Sequence, residues 1–235
     1  MIPVSDTVRS RTFPFVNIAL IVACVLVFIY ELTLTVTDVN QFFVDYGVVP
    51  RQLVDWLNDP SGIGEPATVA SAAFVHGGWL HLAGNMLYLW VFGDNIEDAL
   101  GHFLYPLFYL VSAAGAVALQ VAVDTDEVIP MVGASGAIAG VLGAYLVLYP
   151  RATVGVVVPP FFWAFPAPAI LLIGIWFAMQ LFSGFASFGT ATGASEGIAV
   201  WAHVGGFVTG LGITLLARRF IRVHGPSRRR NVDMF

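Results

Sequence analysis

Six apolar runs, each long or nearly long enough to cross a bilayer, constrain this chain more than any motif within it. They fall at Phe13 to about Thr35, Trp79 to Phe92, His102 to Val123, Val128 to Tyr149, Ala167 to Phe185 and Ile198 to Phe220. A helical span needs about 20 residues. The second run is short unless His81 and Asn85 are counted inside it and the residues before Trp79 contribute. With 58% hydrophobic and 11% charged content, 235 residues cannot hide this much apolar surface in a water-soluble globule, so the excess faces lipid. The first run is too long for a cleaved signal and lacks a small-residue exit, since Tyr30-Glu31-Leu32-Thr33-Leu34 follows. The expected fold is therefore all-α, a polytopic membrane protein with a six-helix transmembrane bundle.

On this reading residues 1–12 form a cytoplasmic tail, 13–220 the membrane domain and 221–235 a second cytoplasmic tail. The long connection at about 37–78 carries Asp38, Asp45, Asp55, Asp59 and Glu65, together with Pro50, Pro60, Pro66 and a Ser61-Gly62-Ile63-Gly64 break. Its apolar residues are too interrupted to span and predict short helices lying in the interface. All ten basic residues are arginines, and an inside amino terminus leaves only Arg51 outside, which fixes the orientation by the positive-inside rule. A net charge of −5 with scattered arginines excludes a nucleic-acid partner. Cys24, within the first run, is read as packing. No metal or cofactor is expected.

Three runs that enter from the outer face each carry exceptional polar residues in their outer part: His81 and Asn85, Ser135, and His203. At 1.5 Å per residue, Ser135 lies roughly 10 Å below the start of its run and His203 somewhat less, so the groups share one depth. Singly, each has a bland explanation. Serine among glycines is a close-packing position in membrane helices, an intramembrane histidine can be a structural hydrogen-bond partner, and His81 with Asn85 is an i, i+4 pair. Polar groups in a bilayer are nevertheless costly and face the bundle interior or a wet cavity. Their convergence on one depth points to a site.

The chemistry that needs this set is acyl transfer. A serine hydroxyl becomes a nucleophile when a base takes its proton, and His203 is placed to do so. The oxyanion so formed needs fixed donors, and His81, Asn85 and the Ser135 backbone N–H suit that role. The amide is free if the helix begins near Gly133. Gly136, Gly140 and Gly143 on one run and Gly206 and Gly210 on another allow the two backbones to touch. No carboxylate occurs in the last four runs, so the set reads as a Ser-His dyad.

His81-x-x-x-Asn85 after His76, Gly93-x-x-x-Glu97-x-x-x-Gly101, Gly133-Ala134-Ser135-Gly136 and Ala202-His203-x-x-Gly206-x-x-x-Gly210 stand in that order along the chain. The pattern resembles the rhomboid intramembrane serine proteases from about Phe13 to Arg219. The resemblance implies Ser135 as nucleophile, His203 as general base, His81 and Asn85 as oxyanion partners, and a structural role for Glu97 and its flanking glycines. It implies single-span or polytopic membrane proteins as substrates, cut near the outer end of a transmembrane helix, with no small-molecule cofactor. Two positions depart from it. Ala139 replaces the aromatic residue that often stacks on the catalytic imidazole, so another group must orient His203. The Trp-Arg pair often found in the first outer loop is absent near Ala67 and Thr68.

Gly193-Ala194-Ser195-Glu196-Gly197 also matches the Gly-x-Ser-x-Gly pattern of soluble hydrolases, but it lacks the preceding strand that this chemistry needs and is read as an outer connection. The fifth run, with Pro166, Pro168 and Gly174, is either a lateral gate or a tilted lipid-facing helix. Polar groups confined to the outer third, without internal repeats, argue against a transporter. Retention of both Ser135 and His203 argues against a non-proteolytic helix binder. The absence of lysine and the short tails suggest a compact enzyme of the bacterial plasma (inner) membrane.

Overall fold

A computed structural model of the chain describes residues 2–60, 62, 64–158, 161–187 and 199–221. Helix α1 (Phe15–Glu31) begins where Glu97 meets it. The buried Glu97 carboxylate accepts from the backbone N–H groups of Val16 at 3.1 Å and Asn17 at 2.7 Å, donors that a first helical turn leaves free. Asn17 extends the joint by donating to the Leu89 carbonyl at 2.9 Å and accepting from the Tyr105 hydroxyl at 2.8 Å.

The long connection at about 37–78 folds into three short helices, α2 (Val36–Tyr46), α3 (Pro50–Asn58) and α4 (Gly64–Ser71), as its broken apolar pattern predicts. Thr35 caps α2 by accepting from the Asp38 N–H, and Pro50 starts α3 at a position where its missing N–H costs nothing. Helix α5 (Trp79–Tyr88) continues through a π-helical stretch, Leu89–Gly93, into α6 (Asp94–Leu100), so the second apolar run is longer in space than in hydropathy. Gly101, at φ +81°, ends it.

Helices α7 (Leu104–Val123), α8 (Ser135–Leu148) and α10 (Val200–Ala217) form the centre, with α8 buried almost throughout. Glycine makes their spacing possible. A Cβ on Gly206 would strike the Gly136 carbonyl, one on Gly210 the Gly140 carbonyl, and one on Gly143 would lie 2.5 Å from the Phe207 carbonyl oxygen. Helix α9 (Ala169–Ser187) packs outside this centre against α10. Among the described residues, three helices are long and apolar enough to cross a membrane: Leu104–Val123, Ala169–Ala186 and Val200–Ala217. Phe15–Glu31 and Ser135–Leu148 are apolar but shorter.

Two expectations change. The fold is mostly helical but not all-α, because β1 (Ile2–Asp6), β2 (Thr153–Val158) and β3 (Phe161–Pro168) form an antiparallel sheet in the order β1-β2-β3. The β-branched run Thr153-Val154-Gly155-Val156-Val157-Val158 favours a strand, and Pro166 and Pro168 sit on an edge strand, where a missing N–H is tolerated. The amino-terminal residues Ile2–Asp6 are thereby held in the sheet. Ile2 pairs with Val157 and Asp6 with Val154. Asp6 accepts from the Tyr145 hydroxyl and from the Asn95 amide at 2.9 Å, and burial raises its carboxyl to about 7. The Ser10 hydroxyl donates to Asp94 and the Thr12 hydroxyl to Asp98. The second change is that the fourth apolar run is helical only from Ser135. Residues 222–235 lie outside the described residues.

Candidate active site

Pro130 and Gly133 explain where α8 starts. Proline cannot supply a helical N–H, and Gly133 adopts φ +119°, which other residues rarely reach. The chain before Ser135 is instead pinned by a reciprocal Val48–Met131 bridge, at 3.0 and 2.8 Å, and by the Gly133 N–H donating to the Ala72 carbonyl at 2.8 Å. Ser135 is thus the first residue of α8. The earliest backbone bond at this end runs from Ile138 N–H to the Ala134 carbonyl, so the amides of Ser135, Gly136 and Ala137 point out of the helix start without intrahelical acceptors.

His203 sits in the first turn of α10, which is steadied by the Ala202 N–H donating to Gln120 Oε1 at 3.1 Å. Its Nε2 lies 2.8 Å from Ser135 Oγ, and its Nδ1 lies 3.0 Å from Gln180 Oε1 on α9. The Trp176 ring, one turn before Gln180, is 6.0 Å from the imidazole at an interplanar angle of 39°. Ala139 is fully buried and offers the ring nothing to stack on. Gln180 and Trp176 are therefore the partners that sequence reasoning missed. The signal was available: a carboxamide inside an apolar run is as costly there as the serine and histidine.

His81 and Asn85 lie one turn apart on α5 and face the backbone just before Ser135. A Cβ on Gly133 would fall 2.6 Å from the His81 ring and 3.5 Å from Asn85 Nδ2. Asn85 is buried, and its Nδ2 has no hydrogen-bond partner among the described residues. Behind them His76, fully buried, donates its backbone N–H to Glu31 Oε1 at 3.1 Å and packs its ring 5.2 Å from that of His81. Ser135, His203, His81 and Asn85 border one cavity of roughly 710 Å³, with Trp176 and Leu142 on its apolar side.

The family model described as Rhomboid domain matches residues 64–220, well over half of the chain. The chain belongs to the rhomboid family. It is 34% identical over 100 residues to RHOMBOID-like protein 5 of Arabidopsis thaliana, covering 43% of this chain and 30% of that protein. It is 30% identical over 157 residues to RHOMBOID-like protein 4 of the same plant, with 63% and 34% covered, and 32% identical over 115 residues to Rhomboid protein 1, mitochondrial, of Saccharomyces cerevisiae, with 47% and 30% covered. The matched stretch spans about a third of the length of each of these relatives. This rhomboid is an integral membrane protein.

The remaining motif residues of the rhomboid pattern stand away from the cavity. Gly93 leaves room for Asn17, Glu97 also accepts from His102 Nδ1 at 2.6 Å, Gly101 ends α6, and Gly206 and Gly210 bring α10 against α8. Ser195 and the glycines around it lie outside the described residues. Among the described residues no group of three or more His, Cys, Asp or Glu is placed to hold a metal ion.

Proposed function

We propose that this rhomboid is a serine endopeptidase of the bilayer that cuts membrane-protein substrates near the outer end of a transmembrane helix, with Ser135 as nucleophile and His203 as general base. The observation that carries this is the 2.8 Å approach of Ser135 Oγ to His203 Nε2 inside a cavity that also presents the unpartnered Asn85 Nδ2. In the reaction, His203 Nε2 takes the hydroxyl proton as Oγ bonds to the scissile carbonyl carbon. The carbonyl oxygen, now negative, is met by Asn85 Nδ2, a His81 ring N–H and the free first-turn amides of α8. The imidazolium then returns its proton to the leaving amine, and water repeats the sequence on the acyl-serine.

A helical target hides its carbonyls in hydrogen bonds and must unwind to reach Ser135, so helix-destabilising residues at the cut favour cleavage. The six-span topology, with both ends cytoplasmic and the outer helices α2 to α4 outside, belongs to this reading, as does residence in a bacterial plasma membrane. Only 22% of α9's apolar window is buried, against 39% for α7 and 44% for α10, which supports α9 as the side where substrate enters.

Some members of the family are catalytically inactive, and the test separates the two cases. Purified protein with a transmembrane substrate should lose activity by about 10⁴-fold or more in Ser135→Ala and in His203→Ala. A serine-directed fluorophosphonate should modify Ser135, as mapped by mass spectrometry. Cleavage at the wild-type rate by either variant refutes the mechanism.

A further inference from the structure

Gln180 Oε1 stands 3.0 Å from His203 Nδ1, on the side of the ring away from Ser135. We propose that Gln180 is a positioning residue for the Ser135–His203 pair, holding the imidazole in the tautomer that carries its proton on Nδ1. This rests on the protease reading above and deepens it.

A neutral imidazole has one N–H, and a carboxamide oxygen can only accept. With Gln180 Oε1 3.0 Å from Nδ1, the proton resides on Nδ1, and Nε2 turns a lone pair toward Ser135 Oγ at 2.8 Å. The opposite tautomer would aim Nε2–H at the serine oxygen and leave no base. The amide is held in place from both sides. One turn toward the start of α9, Phe177 stacks on Phe207 with ring centroids 4.2 Å apart. One turn beyond, Gly184 admits the Trp201 ring so closely that a Cβ would lie 3.0 Å from it. Trp176, Gln180 and Gly184 are spaced i, i+4, i+8 and share one face of α9. A carboxamide performs this task without a charge in the bilayer, where a carboxylate would be costly. The buried Ala139 supplies no stacking surface, so orientation by hydrogen bond takes over what an aromatic neighbour would do.

Two substitutions with opposite expectations test the role. Methionine matches the length of Gln180 and packs readily in an apolar site but is at best a weak acceptor, whereas glutamate keeps an oxygen in the same place but is poorly suited to apolar packing. A positioning role requires Gln180→Met to lower kcat by about 10- to 100-fold, with KM within about threefold and an unchanged melting temperature, and Gln180→Glu to retain most of the activity. A packing role requires the reverse order. Gln180→Met at wild-type kcat, or equal losses in both variants, overturns the proposal. Nitrogen-15 shifts of labelled histidine in the wild-type protein give a reading that no variant's folding can obscure. Nδ1 of His203 should be protonated and Nε2 bare, and a protonated Nε2 overturns the assignment. If Ser135→Ala and His203→Ala are inactive while Gln180→Met is not, only this inference fails; if those two are active, the protease reading itself fails.

Discussion

Gly206→Ala puts the geometry of the pair under direct strain. The added Cβ would sit inside the van der Waals envelope of the Gly136 carbonyl, which is backbone and cannot rotate away. Restoring ordinary contact requires α8 and α10 to part by on the order of 1.5 Å. His203 is three residues before Gly206 and Ser135 adjoins Gly136, so most of that displacement is passed to the 2.8 Å bond between them. The pair would open to roughly 4 Å, beyond hydrogen-bond reach. A shift of this size costs a reaction about 10²-fold, and the overpacked interface loses about 1–3 kcal/mol of stability. Cleavage of a transmembrane substrate in proteoliposomes, fluorophosphonate labelling and a melting curve read the three effects. Gly212→Ala, on the same helix with nothing within 4 Å of its Cβ, is the control and should stay within about twofold of wild type. The reasoning is refuted if Gly206→Ala cuts at the wild-type rate, or if Gly212→Ala is equally damaging.

Three further outcomes follow from separate features. Asn85→Ala removes the buried Nδ2 and should slow cleavage by about 10²-fold while leaving the melting temperature nearly unchanged; no loss in turnover removes it from the site. Glu97→Gln presents an amide donor to the N–H groups of Val16 and Asn17 and should destabilise the protein by about 2–3 kcal/mol, measured by denaturation in detergent. The third concerns Asp6, whose pKa rises from 3.8 to about 7 on folding, chiefly through burial. A raised carboxyl means the folded state holds the proton that the unfolded state has released, so stability is full below about pH 4 and falls as pH climbs toward 7. Proteolysis of the amino-terminal strand should quicken over that window with a slope of at most about 1.4 kcal/mol per pH unit, and Asp6→Asn should flatten it.

The site was legible because a hydroxyl, two imidazoles and a carboxamide stand out against apolar runs, where each must have a reason to be present. Gln180 obeys the same logic, yet its run holds no histidine, and its Ser183-Gly184 pair lacks the leading glycine of Gly133-Ala134-Ser135-Gly136 that draws the eye to the fourth run. Where α8 begins was only half legible. Pro130 and Gly133 are helix breakers, but hydropathy does not fall across them, since Val128, Ile129, Met131 and Val132 keep the run apolar. The sheet was hidden for a different reason. Thr153 to Val158 carries the β-branched signature of a strand, but its partner β1 lies some 150 positions earlier in the chain, and no local pattern reports a pairing that distant. Glu97 as the cap of α1 is equally non-local, joining residues 80 apart.

That distant pairing has a consequence for biosynthesis. Strand β1 is met by its neighbour β2 only after α1 through α8 have been made, so its register cannot be settled during early insertion. Closing the β1–β2 ladder is thereby a late checkpoint, one that the nascent molecule passes only once the helix bearing Tyr145 has arrived to receive Asp6.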